Sequence, residues 1–174
     1  MNKLSPALTL TGHGLVLREW TDDDLTTLVE LFDDPDIASR TPLASPFDLV
    51  AARDYLDRAR QARAELQRVQ LAITTDGHKA KGEVQLNLAR STLSYGVGSA
   101  YRGQGLASRA LRLMIEHAHK PLGFSRLMLE IEADNHPSIA VARATGFTLT
   151  DAAPDVVQGE RRSYTLYTWA LNLP

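Results

Sequence analysis

Three short strand segments follow one another with no helix among them: Gln70 to Thr74, Gly82 to Leu88 and Thr92 to Val97. Asp76-Gly77 and Ala89-Arg90-Ser91 supply the turns. Parallel neighbours need a crossover of a dozen or more residues, and these links leave no room for one. The meander therefore excludes a purely parallel doubly wound sheet. It predicts an α/β protein with a mixed, largely antiparallel central sheet and helices on both faces.

The flanking sequence supplies those helices. Gly14 to Trp20 reads as a first strand, and Thr21 as a helix N-cap with Asp24 at the capping-box position. Leu25, Leu28, Val29 and Phe32 then recur at helical spacing until Asp34-Pro35-Asp36 ends the run. Thr41-Pro42 and Ser45-Pro46 frame an irregular stretch suited to a substrate wall. Phe47 to about Arg68 reads as a helix whose basic and acidic residues alternate, the pattern of a solvated face and not of a nucleic-acid patch. After the meander come a helix from Gln104 to Lys120, a strand from Leu127 to Glu132 and a short helix from Pro137 to Thr145 closed by Gly146. Phe147 to Thr150 and Arg162 to Leu171 are the last strands.

No repeat or linker divides the 174 residues, so the expectation is one domain over 1–174. The absence of cysteine removes thiol nucleophiles and Cys-ligated zinc, and a net charge of −2 offers no general field for nucleic acid or anionic lipid. His117 and His119, two apart on a helix, do not share a face, which argues against a metal site. No apolar run approaches the ~18 residues of a membrane span. The opening Met1 to Pro6 lacks the apolar core of a secretory leader, so the expected location is the cytoplasm.

The segment richest in chemical meaning is Tyr95-Gly96-Val97-Gly98-Ser99-Ala100-Tyr101-Arg102-Gly103-Gln104-Gly105-Leu106-Ala107-Ser108, a strand, a glycine loop and a helix start. Glycines let backbone N–H groups approach a ligand closely, and a helix N-terminus adds oriented donors. Together they suit a pyrophosphate, with Arg102 adding a full charge. A Walker loop is excluded because Gly-Lys-Ser/Thr does not occur. A dinucleotide fingerprint starting at Gly103 fails at Ser108, although Glu130 on the next strand stands where a ribose-binding acid would sit.

Arg102-Gly103-Gln104-Gly105-Leu106-Ala107 resembles the R/Q-x-x-G-x-G/A motif of the GNAT superfamily of acetyl-CoA-dependent N-acetyltransferases. Asn135-His136-Pro137-Ser138 and Ala144-Thr145-Gly146-Phe147 are similar to the family's second signature, and Ser94 to Val97 to its central strand. The combination resembles the branch of ribosomal-protein N-terminal acetyltransferases (RimJ/RimL-like). The resemblance implies a GNAT-type sheet with two splayed central strands, here those ending at Val97 and Glu132, and pantetheine between them. It places the acetyl-CoA pyrophosphate on the amides of Arg102, Gly103, Gln104, Gly105, Leu106, Ala107 and Ser108. It also makes Val97 N–H an oxyanion donor and Asn135 a pantetheine contact, and requires no metal.

Direct transfer to an amine needs a base, oxyanion donors and an acid for the departing thiolate. Many relatives place a tyrosine on the short helix as that acid. This chain has none there, and Ser138 is the available hydroxyl. Asn135 and Ser138 also suit plain helix capping. For the base, Glu83 and Glu130 are strand carboxylates near the expected site, with Glu132 on the face of Glu130. Asp155 lies in the segment after Gly-Phe, where some relatives carry an acid, while Thr92 stands where relatives often carry Glu. The expected function is acetyl transfer from acetyl-CoA to a protein or peptide N-terminus, with a small amine as alternative acceptor. The missing tyrosine keeps open a CoA-binding regulatory module without turnover, and a nicotinamide-dependent enzyme is a third reading. The β-rich C-terminal segment is suited to pairing in a homodimer.

Overall fold

The computed structural model describes residues 6–174; the leader reading of Met1 to Ser5 falls on residues outside it. A sheet of nine strands forms among the described residues, in the order β1-β2-β3-β4-β5-β6-β9-β7, with β8 paired only to β9. The strands are β1 (Thr9–Gly12), β2 (Leu15–Glu19), β3 (Arg68–Thr74), β4 (Gly82–Asn87), β5 (Thr92–Val97), β6 (Arg126–Ile131), β7 (Thr148–Leu149), β8 (Asp155–Gln158) and β9 (Ser163–Asn172). The helices are α1 (Leu25–Phe32), α2 (Pro35–Arg40), α3 (Leu49–Ala64), α4 (Leu106–His119) and α5 (His136–Ala144). The mixed sheet with helices on both faces matches the expectation from the meander.

Each strand's alternation sorts its side chains between two cores. Leu71 and Ile73 of β3 point to the α4 side, where they join Leu15, Leu86, Leu111 and Met114. Ala72 points to the other side, among Trp20, Leu28, Phe32, Tyr55 and Leu56 of the α1–α3 layer. Because both faces of β3 are covered, every residue from Val69 to Thr74 is buried. The Phe32, Phe47 and Tyr55 rings meet edge to face at 5.4–6.1 Å, the preferred geometry of aromatic pairs. No described helix is long and apolar enough to cross a membrane.

Local chemistry sets the helix starts. Thr21 and Asp24 form the expected capping box ahead of α1. The Asp34-Pro35-Asp36 stop also begins α2. Asp34 accepts from the N–H groups of Asp36 and Ile37 at 2.8 and 3.2 Å, and Pro35 occupies the first turn, where a missing N–H costs nothing. The helix expected from Gln104 starts instead at Leu106, because Gly105 adopts a left-handed φ of 70° and serves as its cap. Strands β1 and β8 were not expected from the sequence: β1 is only four residues long, and β8 lies within the acidic segment after Gly-Phe.

One strand pairing differs from all the others. Strands β5 and β6 are parallel and share a single registered pair, Thr92 with Met128. Beyond it, β5 stays with β4 as far as the Val97–Gly82 pair, and β6 stays with β9 as far as Ile131–Tyr167. The two strands therefore open like a V toward their C-terminal ends. Gly82 helps hold the β5 arm: a Cβ there would lie 2.3 Å from the Gly96 carbonyl oxygen. Gly82→Ala is expected to push β4 from β5 and cost about 1–3 kcal/mol. A urea titration checks this; an unchanged midpoint would contradict the close approach.

Candidate active site

The V opens beside the glycine loop. A single turn at Ser99–Tyr101 leads from β5 to Arg102, and Gly103 and Gly105 both take left-handed φ values, 79° and 70°. A Cβ at either position would meet no atom within 4 Å, so their surfaces face open space. The first backbone bond of α4 runs from Arg109 N–H to Gly105 O at 3.1 Å. The N–H groups of Leu106, Ala107 and Ser108 thus precede the helix's own bonding and remain available as donors. Arg109 also donates to the carbonyls of Gln104 and His13 at 3.2 Å, tying the loop to the β1–β2 turn.

The strand wall carries a donor too. Gly98 N–H bonds to Lys81 O at 2.9 Å across the β4 side. Strand alternation then points the N–H of Val97 the other way, into the gap. Opposite, Asn135 caps α5 by accepting from Ser138 N–H at 3.3 Å. Tyr95 OH, buried enough that its pKa is raised, donates to the Ser138 carbonyl at 3.2 Å. This bond fixes the first turn of α5, with half-buried Ser138, relative to β5. Tyr95 was read in sequence only as part of the strand; its link to α5 joins residues 43 apart and has no local signal.

The carboxylates divide by environment. Glu83 pairs in register with Gly96, and the Thr92–Met128 pair puts Glu130 on that same face, away from the α4 core. Glu83 is fully buried beneath α3, and desolvation raises its pKa. It accepts from Trp20 Nε1 at 2.6 Å, Tyr55 OH at 2.5 Å and Gln85 Nε2, with Gln70 donating to the Tyr55 oxygen at 3.1 Å. Those bonds occupy it as a structural anchor. Glu130 is half-buried at the V and pairs with exposed Arg90 at 2.6 Å. Asp155 lies apart from both, exposed at the start of the β8–β9 ribbon.

Glu132, just beyond β6, takes Arg162 bidentately at 2.7 and 2.8 Å and Arg40 at 2.8 Å. These bonds, the Arg162 contacts foremost, hold its carboxyl below the usual range. The Arg102 guanidinium is turned away from the glycine loop toward Asp36, at 3.2 Å. A largely apolar groove of about 580 Å³ runs along α5, walled by Ile139, Phe147, Leu149, Tyr167 and Trp169 and reaching Ile131 and Glu132 at the end of β6.

The site thus brings together a glycine loop at the start of α4, a strand N–H aimed into a parallel split and a hydroxyl-bearing helix opposite. Residues 14–148 match the acetyltransferase (GNAT) domain family, and the chain belongs to it. It is an acetyltransferase of the GNAT type. Over 169 residues it is 23% identical to the uncharacterized N-acetyltransferase p20 of Bacillus licheniformis, covering 94% of this chain and 95% of that one. A Vibrio cholerae structure, assigned provisionally as a ribosomal-protein-serine acetyltransferase, superposes with a TM-score of 0.84 at 20% identity, over 97% of this chain and 99% of that one. The ribosomal L7/L12 α-N-protein acetyltransferase RimL, solved with coenzyme A, gives 0.80 at 17% identity, over 95% and 98% of the two chains.

The Glu132 pairs carry a pH signature. A carboxylate whose folded pKa is depressed contributes stability above its unfolded value and loses it as pH falls through the folded one. The stability gap between wild type and Glu132→Gln is therefore expected to be full above the ordinary 4.5 and to close in more acidic solution. Thermal melts over pH 3–7 test this; a gap constant across the range would contradict the ion pairs.

Proposed function

We propose that the protein transfers an acetyl group from acetyl-CoA to the primary amine of a protein or peptide N-terminus by direct attack. The observation that carries this reading is the V between β5 and β6, with Val97 N–H directed into it and the glycine loop at its edge. The amides from Arg102 to Ser108 would hold the pyrophosphate. Val97 N–H would bond the thioester oxygen as charge develops there. Asn135 would serve as the cap of α5 and as the neighbour of the pantetheine arm.

The two faces of the sheet divide the chemistry. Ser138 belongs to the α4–α5 side and Glu130 to the α1–α3 side. The amine nitrogen attacks the carbonyl carbon, forming C–N while C–S breaks. The amine attacks as the neutral base; the proton its nitrogen sheds as C–N forms passes to Glu130, directly or through one water, the thiolate takes the Ser138 hydroxyl proton, and the proton held by Glu130 returns through water to Ser138. An α-amino group has a pKa near ~8, so a weak base suffices. Glu83 supports the wall instead of taking the proton, because its oxygens already accept three donors. The similarity to structures named for ribosomal-protein acetylation supports a protein N-terminus as acceptor.

Thiol release from acetyl-CoA, screened over N-terminal peptides, ribosomal proteins and small amines, tests the reading. Turnover with peptides is expected; turnover only with small amines would replace the acceptor, and none at all would favour a CoA-binding module. Ser138→Ala is expected to lower kcat by ~10²-fold with coenzyme A affinity intact. A loss below about threefold would leave Ser138 as a capping residue. Gly105→Val forces a branched side chain into a left-handed φ facing the donor loop, and calorimetry should show coenzyme A affinity lost while the fold persists.

A further inference from the structure

The short helix α2 buries none of its residues fully and meets the α1–α3 core only through half-buried Ile37. Ion pairs fasten both of its ends. At its N-terminus, Arg102 of the glycine loop reaches Asp36 at 3.2 Å and Asp34 at 3.8 Å. At its C-terminus, Arg40 reaches Glu132 at 2.8 Å and Asp134 at 3.1 Å, just beyond β6. The turn of the β8–β9 ribbon adds a second grip there. Arg161 donates to the carbonyls of Ala38 at 2.9 Å and Leu43 at 2.6 Å, and Arg162 to that of Ser39 at 2.9 Å while it clasps Glu132. One end of α2 is thus tied to the loop that follows β5, and the other to the segment that follows β6. The helix spans the open end of the V, on the face that carries Glu130.

The two anchorages differ in strength. The Arg102 and Asp36 side chains are 45% and 77% exposed, and an ion pair of that kind is worth about 0.2–1 kcal/mol. The Glu132 carboxylate is only 11% exposed and is held bidentately by Arg162, which with Arg161 also donates to the backbone carbonyls of Ala38, Ser39 and Leu43. Arg102 also belongs to the loop whose amides would receive a diphosphate. A diphosphate carries more charge than one carboxylate and offers a guanidinium two-pronged contacts.

We propose that α2 is an ionic strap across the acceptor mouth, and that its N-terminal anchor, Arg102, exchanges Asp36 for the diphosphate of the bound acyl donor. The inference rests on the reading of the glycine loop as the coenzyme A site. Donor binding then frees the N-terminal end of the strap while Arg161, Arg162 and Glu132 keep the other end in place. Access of the amine to the V is coupled to occupancy of the donor site through one side chain.

Hydrogen–deuterium exchange on the full chain, with and without saturating coenzyme A, tests the strap. Exchange over 34–40 is expected to rise with coenzyme A while amides 106–108 become protected. Asp36→Asn should raise exchange over 34–40 without ligand and tighten coenzyme A roughly two- to fivefold, the equivalent of an exposed ion pair. Arg162→Ala should loosen 38–43 whether or not ligand is present and leave coenzyme A affinity unchanged. If coenzyme A binds but exchange over 34–40 is unchanged or lower, and Asp36→Asn leaves affinity as it was, the strap is overturned and the donor site stands. If wild type shows no binding in calorimetry, the donor-site reading fails and takes the exchange of Arg102 with it.

Discussion

A single parallel pairing in an otherwise antiparallel sheet governs this molecule. Antiparallel neighbours can stay in register along their full length through tight turns, as β3, β4 and β5 do. Strands β5 and β6 are joined through α4 instead, and they share only the Thr92–Met128 pair. Each then follows a different partner, β5 with β4 and β6 with β9. The gap exposes strand N–H groups inside a sheet that would otherwise satisfy them, and unpaired backbone donors within a fold call for a polar partner. Helices cover the sheet on both sides of this region: the α4 layer buries Leu93 of β5 and Leu129 of β6, and the α1–α3 layer buries Glu83 of the adjoining β4.

Environment separates carboxylates that look alike in sequence. Glu83 of β4, Glu130 of β6 and Glu132 just beyond it are all acids of the strands around the V. Burial with three hydrogen-bond donors makes Glu83 a clasp between α3 and the sheet. A bidentate arginine makes Glu132 a fastening for the β8–β9 turn. Glu130 pairs with the exposed Arg90 and keeps more of its side chain open to solvent, 21%, than Glu132 with 11%. What surrounds each acid, and not its position in the chain, sets how firmly its charge is held.

Local signals carried most of the fold. The meander, the Thr21–Asp24 box, the apolar stripe of α4 and the Asn135 cap are each read within a few residues, and each appears in the structure. The glycine loop was legible for the same reason, since its left-handed turns and helix start lie in one short segment. What escaped depends on distance along the chain. The grip of Arg161 on Ala38 and Leu43 links residues more than a hundred apart, and nothing around Arg161 announces it. Helix α2 was hidden because Asp34-Pro35 stops one helix and starts the next with the same chemistry. The side-chain direction of Arg102 was equally invisible, because its acidic partners belong to another element.

In the reading proposed above, the gap between β5 and β6 receives the acyl donor, with its diphosphate on the start of α4. Amide chemical shifts followed while coenzyme A is titrated into the labelled protein test it most directly. The largest shifts are expected at Val97 and from Gly103 to Ser108, with smaller ones at Asn135 and Ser138. Shifts confined to the apolar groove of Ile139, Tyr167 and Trp169, with Val97 and the glycine loop unmoved, would contradict it.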